Sequence, residues 1–436
     1  MITTALKLQK LALLVFLFLL PWQTRWIFEE GMLSGGAWEY GTISVYVTEI
    51  LIFAYLLFQS KYSAIQYKTS RVSEAVYWIL IIFLCLVFFS LNWAPDVRVA
   101  TIAALHLFFT GIVIFLIGRT SVSKSEMVSA FIFGVVAQAV LGMAQITAQY
   151  VSASTWLGIA VHDPSALGTS VVETMFGRFL RAYGGLPHPN ILGGYLAVGL
   201  IFLLPLIIKE NIAWRRGLLW GSIMLLTTVL FLTFSRSAWL GAIVGIVFSF
   251  TFIFLLAQKL ERKISVAFLG VFILASLTLG LVFSDTLAGR IKGGTYLEDL
   301  STSERILGVK QSMVLIKENL WLGVGVGNYT KALARAYPGE ESWVYQPVHN
   351  TFLLLLAEVG VVGVALGALI FGIILVYSVI LLFRKPDPWV VASIGALLTL
   401  GVISLFDHYL WSLYPGLLLA AFVIGFWNQV INKKLV

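Results

Sequence analysis

Val348-His349-Asn350-Thr351-Phe352-Leu353-Leu354-Leu355-Leu356-Ala357-Glu358-Val359-Gly360-Val361-Val362-Gly363 places a histidine and an asparagine at the mouth of an apolar run that continues to about residue 383. A bilayer is crossed by roughly 20 apolar residues in a helix. This run is longer, so it reads as a span that tilts or extends beyond the membrane. His349 and Asn350 then stand at a boundary, wet on one side and lipid-bounded on the other, and they close a long polar segment. Working outward, the chain is 59% hydrophobic and 11% charged, with mean hydropathy +0.94. A soluble domain carries about 25% charged residues, so the fold class is an all-α polytopic membrane protein.

Apolar runs place about twelve transmembrane helices, at 9–28, 43–59, 75–93, 100–118, 127–150, 190–208, 215–234, 237–257, 264–284, 350–383, 389–406 and 410–431. The first run continues through Pro21-Trp22 without a small-residue cleavage site and reads as a retained span. The net charge of +8 does not point to nucleic acid, because the basic residues fall in short loops. Lys7, Lys10, Lys61, Lys68, Arg71, Arg119, Lys124, Lys209, Arg215, Arg216, Lys259, Arg262, Lys263, Arg384, Lys385, Lys433 and Lys434 are 17 of the 29 Lys and Arg residues. All sort to one side, which the positive-inside rule makes cytoplasmic together with both termini. Two long segments, 151–189 and 285–348, fall outside, the second as a large loop between spans 9 and 10. The chain divides into a five-helix N-terminal membrane segment, 1–150, and a region at 151–431 that includes both outer loops. Within 303–320, Ile306, Leu307, Val309, Met313, Val314, Ile316 and Leu320 recur at roughly helical spacing, with Ser301 or Ser303 as a cap. That pattern predicts an amphipathic helix on the outer surface, ended by Gly323-Val324-Gly325-Val326-Gly327.

The outer side also collects the residues with chemistry. Arg178 and Arg181 precede the Gly/Pro-rich stretch to His188-Pro189-Asn190. Guanidinium forks match phosphate oxygens bidentately, although arginines at a membrane edge also snorkel to headgroups. Arg236 sits in a very short outer connection, against the charge trend, and snorkelling explains it poorly. Arg290 and Arg305 flank the start of the outer helical segment, where Arg305 also reads as a solvated helix residue. His349 is either a helix-start hydrogen-bonder or a general base or acid. His106 is mid-span, His162 is in a loop, and the Asp407-His408 pair at an outer helix end is a possible second polar contributor. Metal and nucleotide motifs are missing, the lone Cys85 excludes a disulfide, and Glu29-Glu30 lacks a spaced acidic partner.

Taken together, Arg181 with Gly184 and Pro189-Asn190, Thr233-Phe234-Ser235-Arg236 through Gly241, Arg305 with Gly323–Gly327, and His349-Asn350 followed by Gly360 and Gly363 resemble the O-antigen ligase and polymerase superfamily. The resemblance covers about residues 170–410. It implies a GT-C-like membrane glycosyltransferase that moves a glycan from undecaprenyl diphosphate to an acceptor hydroxyl, without a metal ion or cofactor and with inversion. It further implies His349 as general base, and Arg236, Arg305, Arg181 and Arg178 as candidates for holding the diphosphate. Asn190, Asn350, Gly360 and Gly363 are motif positions. The implied partners are the lipid-linked donor, a lipid A–core or glycan acceptor and membrane lipids. The implied location is the bacterial inner membrane, with the site on the periplasmic face. Ligase is the foremost reading; polymerase and protein O-oligosaccharyltransferase remain within the same superfamily. A lipid-linked glycan transporter is the rival of another class, but it needs ionisable groups near the midplane, and His106, Glu49 and Glu358 are the main ones here. Cysteines introduced one at a time test the orientation: an impermeant maleimide added from outside should label a position at Ala334 and leave Gln66 unlabelled.

Overall fold

The computed structural model describes residues 2–57, 69–174, 177–256, 258–292 and 296–435. Its helices are α1 (Ile2–Leu19), α2 (Val47–Leu57), α3 (Arg71–Phe89), α4 (Val97–Arg119), α5 (Lys124–Ala148), α6 (Pro189–Lys209), α7 (Ala213–Leu232) and α8 (Arg236–Leu256). After them come α9 (Lys259–Val282), α10 (Ser284–Lys292), α11 (Tyr296–Glu318), α12 (Tyr329–Ala336), α13 (Thr351–Arg384), α14 (Pro388–Phe406), α15 (Tyr409–Ser412) and α16 (Tyr414–Leu435). Among the described residues ten of these, α3–α9, α13, α14 and α16, are long and apolar enough to cross a membrane. The all-α membrane reading therefore stands, with three short antiparallel hairpins added in the polar segments.

The centre of the bundle is α6. It is apolar on every side and buried from Pro189 to Ile208, as a helix without a polar face must be. Pro189 occupies its first turn, where a missing N–H leaves no bond unmade. Around it pack α5, α7, α8 and α14. The last helix returns to the first half of the chain: Asn432 Nδ2 donates to the Gly118 carbonyl at 3.0 Å and Gln429 Nε2 to that of Val122 at 2.8 Å. The basic loops gather at one end of the bundle, where Lys209 and Lys434 lie 3.9 and 3.6 Å from Asp387. Lys61, Gln66 and Lys68 lie outside the described residues.

Four boundaries differ from expectation. The first predicted span, 9–28, stops at Leu19, because Pro21 cannot continue a helix and disfavours it in Leu20. The chain turns instead into β1 (Arg25–Glu29), which pairs with β4 (Ile43–Tyr46), so the second predicted span begins only at Val47; 58 and 59 lie outside the described residues. The outer helix begins at Tyr296 rather than near Ser303. Ser303 is interior to it, its hydroxyl bonding the Asp299 carbonyl at 2.9 Å, so neither serine caps it. Its Ile306, Leu307 and Met313 are exposed. The predicted last span, 410–431, is split into α15 and α16.

The long run from 350 is neither straight nor merely tilted. It is broken at Gly360, whose φ of 63° and ψ of −172° are outside the helical region. A break frees backbone groups, and a second segment of chain takes them. Val324 N–H donates to the Ala357 carbonyl at 2.8 Å and Gly325 N–H to that of Glu358 at 3.0 Å. In return Val361 N–H donates to the Leu320 carbonyl at 2.9 Å and Val362 N–H to that of Trp321 at 3.2 Å. Backbones this close leave no room for side chains. A Cβ on Gly360 would stand 2.3 Å from the Trp321 carbonyl carbon, and one on Gly323 2.3 Å from that of Glu358. The buried Glu358 carboxylate completes the joint, accepting from Gly327 N–H at 2.9 Å, Tyr329 N–H at 3.3 Å and Trp411 Nε1 at 2.8 Å. The two glycine motifs are thus halves of one structure. Gly360→Ala and Gly323→Ala should each lower the melting temperature of the detergent-purified protein well below that of Gly367→Ala. Gly367 is helical, with only Leu355 Cδ2 near, at 3.9 Å; equal melting of all three would refute the interlock.

Candidate functional site

His349, Asn350 and Thr351 lie where α13 begins, beside the end of α14. Asn350 caps α13 by accepting from Leu353 N–H at 2.9 Å and donates to the Leu405 carbonyl at 3.0 Å. The Thr351 hydroxyl donates to the Asp407 carbonyl at 2.7 Å. These bonds hold His349 Nδ1 3.8 Å from Asp407 Oδ1. That separation makes an ion pair when the imidazole is protonated and leaves Nδ1 without a hydrogen bond. The side chain of His349 is 34% exposed and that of Asp407 4%, so the histidine is reachable and the carboxylate stands behind it.

Asp407 is itself held. Asn190 Nδ2 donates to Oδ2 at 2.7 Å and His408 N–H to Oδ1 at 3.0 Å. Burial alone would raise its pKa, but the facing His349, with His408 and His188, pulls it well below the usual carboxylate range. Asp407 is therefore ionised at neutral pH. Behind it, the Asn190 Oδ1 accepts from Arg181 Nη2 at 2.6 Å, and Arg181 Nε donates to the Thr233 carbonyl at 2.7 Å. Burial and the charge of Arg290 lower Arg181 to about 9, which still leaves it charged. His188 caps α6 through Nδ1, accepting from Asn190 N–H at 3.1 Å, while its Nε2 lies 2.9 Å from the Ser170 hydroxyl. Burial and the nearby Arg181 lower it to about 3, and burial with the charge of His349 does the same for His408, so both are neutral.

The second cluster forms around the three-residue turn between α7 and α8. Phe234 takes a left-handed φ of 47° there, a strained conformation for a bulky residue. The turn exposes two successive carbonyls to two arginines: Thr233 to Arg181, and Phe234 to Arg290 Nη2 at 2.6 Å. Arg236 opens α8 and donates from Nη1 to the Arg290 carbonyl at 2.9 Å. Both guanidinium groups meet Glu298, Arg290 by a short hydrogen-bonded pair and Arg236 Nη2 at 3.2 Å. Arg305 completes the cluster. Its Nε has no partner among the described residues. Burial lowers its pKa, and it feels the charges of Asp407, Arg236, Arg290 and Glu298.

Of the predicted site residues, Arg236, Arg305 and His349 thus converge. Arg181 also joins, but it is only 6% exposed and committed to Thr233 and Asn190 rather than open to a ligand. Arg178 does not join: it lies on β6 (Gly177–Leu180), facing the Ala166 carbonyl at 3.2 Å. Gly360 belongs to the joint rather than to the site, and Gly363 is buried in α13 beyond it. Sequence reading had no role for Glu298 and only a possible one for Asp407. A signal for Asp407 existed, since a carboxylate at a helix C-terminus opposes the helix dipole and requires compensation. Nothing in spacing tied Glu298 to Arg236. His349, Asp407 and His408 each offer a ligand atom within 4.8 Å of the others, a grouping that could hold a metal ion.

Residues 221–368 match the family model described as O-antigen ligase. Over these residues the chain is similar to the O-antigen ligase family. The match supports a membrane enzyme of the O-antigen ligase and polymerase kind. The O-antigen ligase match includes Arg236, Arg290, Glu298, Arg305, His349 and Gly360, while Arg181, Asn190 and Asp407 fall outside it. No curated protein matches the chain. A solved structure described as structural coordination of polymerization and crosslinking by a peptidoglycan synthase complex aligns with TM-score 0.40 and 13% identity, over 85% of this chain and 98% of that one. This level of likeness is too low to carry an argument. Asn190 bridges Arg181 and Asp407. Hydrogen bonds to charged groups contribute about 1.5–3 kcal/mol each. Asn190→Ala should therefore destabilise the protein by at least one such bond, read as a lower melting temperature, and an unchanged melt would show the bridge to be energetically idle.

Proposed function

We propose that the protein transfers a glycan from undecaprenyl diphosphate to an acceptor hydroxyl, with lipid A–core as the acceptor of an O-antigen ligase. The observation that carries this reading is that Arg236 and Arg290 meet on Glu298, while Arg305 feels the charges of both and of the ionised Asp407 that backs the reachable His349. In the proposed step the acceptor oxygen attacks the anomeric carbon of the donor sugar. Its proton passes to His349, and the bond from that carbon to the diphosphate oxygen breaks, so the anomeric centre inverts. Asp407 stabilises the imidazolium as it forms. The negative charge left on the diphosphate falls to the arginines, which are preorganised in a site of low dielectric.

Glu298 fits this role as an internal stand-in. It pairs with both Arg236 and Arg290 and helps to hold them in place. A diphosphate, with more charge and more acceptor oxygens, displaces it. The basic loops at the opposite end of the bundle support placing the site on the extracytoplasmic face of the plasma membrane.

Reconstituted membranes with a lipid-linked repeat and lipid A–core test the proposal directly. A general base contributes about 10²–10⁴-fold, so His349→Ala should lower turnover by that order while donor binding persists. Arg236→Lys should also lose most activity, because a point charge does not reproduce the fork. Full activity of Arg236→Ala at equal protein level would end the assignment. EDTA should leave turnover unchanged; inactivation reversed by a divalent ion would instead put a metal at His349, Asp407 and His408.

A further inference from the structure

Next to this site lies a cavity that the arginines do not reach. Its water-accessible volume is about 80 Å³. Its walls come from both halves of the chain, and it runs from Pro347, two residues before His349, to His106 in α4. His106 is ten positions into an apolar helix of 23 residues, so the cavity descends about 14 Å along α4 at 1.5 Å per residue. Polar depth of that kind is costly in a membrane protein and marks a functional path.

Three hydroxyls in the wall, those of Tyr329, Thr330 and Tyr414, lack a hydrogen-bond partner among the described residues. Tyr329 and Thr330 are 1% and 2% exposed. Buried hydroxyls are nearly always bonded, so these are set for something that enters. The remaining wall says what it is. Tyr40, Tyr46, Trp411 and Tyr414 line it with aromatic surface. Its one arginine, Arg25, is already paired with Glu39 through bonds of 2.6 and 3.0 Å, and Glu358 is a further carboxylate. Among the described residues of the wall no lysine or unpaired arginine is left for a phosphate. A neutral ligand rich in hydroxyls, with apolar faces to stack on rings, fits.

The cavity also communicates with the base. Ser412 lines it and bonds His408 Nδ1 at 2.7 Å, and the His408 ring stands 5.0 Å from that of His349. We infer that this cavity is the acceptor subsite, holding uncharged sugar rings of the acceptor glycan against Tyr329 and Thr330 while the acceptor hydroxyl reaches His349. This assignment rests on the transferase reading above and narrows it to a carbohydrate acceptor rather than a serine or threonine of a protein.

Two measurements test it separately from turnover as such. Losing one neutral hydrogen bond weakens binding by about 2–10-fold, so Tyr329→Phe and Thr330→Val should each raise the acceptor KM by that factor and leave the donor KM in place. In a Cys85→Ala background, Thr42→Cys puts a thiol in the cavity wall. Its labelling by a water-soluble maleimide should be slowed by core oligosaccharide freed from lipid A, or by an oligosaccharide of the polymer repeat, and not by inorganic pyrophosphate. Unchanged acceptor KM values in an active enzyme, or protection by pyrophosphate or a serine peptide in place of the sugars, would overturn the subsite. Protection by the oligosaccharides in a protein that transfers nothing would uphold the subsite and remove the transferase reading.

Discussion

A helix broken inside an apolar bundle leaves N–H and C=O groups with no water to take them, and each must find a protein partner. The architecture of the site follows from how that requirement is met at Gly360. The segment from Leu320 to Gly325 lies against the break and exchanges four backbone bonds with it. Both strands of this joint need glycine, because Gly323 and Gly360 have positive φ and backbone within 2.3 Å of their missing Cβ atoms. The joint ties the end of α11, which carries Arg305, to the start of α13, which follows His349. His349 and Arg305 thus lie on segments that one piece of backbone hydrogen bonding ties together.

From that anchor the polar groups are fixed in series. Thr233 orients Arg181, Arg181 orients Asn190, Asn190 orients Asp407, and Asp407 faces His349. Bonds of 2.6–2.7 Å between charged and neutral partners are at the strong end of the range. The series leaves freedom only at its ends: His349, which is partly exposed, and the open guanidinium face of Arg236, whose side chain is 38% exposed. Asp407 and Glu298 are buried, whereas His349 and Arg236 are partly exposed.

Much of this was legible in the residues. Composition and run length alone lead to the membrane, because about 20 apolar residues have few other uses. Ten of the expected spans correspond to helices of sufficient length and hydropathy. That Arg236, Arg305 and His349 share one side was expected from the family resemblance, and the glycines announced tight backbone. Periodicity failed where one residue changed the local rule: Pro21 ended the first helix early, and Gly360 broke the long one. Arg178 and Arg181 looked equivalent at three residues apart, yet one sits on a hairpin and the other in the core.

What the sequence determined by itself is therefore the solvent, the helix inventory and the chemical types at the boundary, since each depends on local hydrophobicity and side-chain identity. Tertiary structure decided the rest: that Glu298 neutralises Arg236 and Arg290, that Asp407 stands behind His349, and that Tyr329, Thr330 and His106 share a cavity with Arg25. These are contacts between residues far apart in the chain. No periodicity encodes them, because which charge meets which is set by how the helices pack and where their connecting segments land.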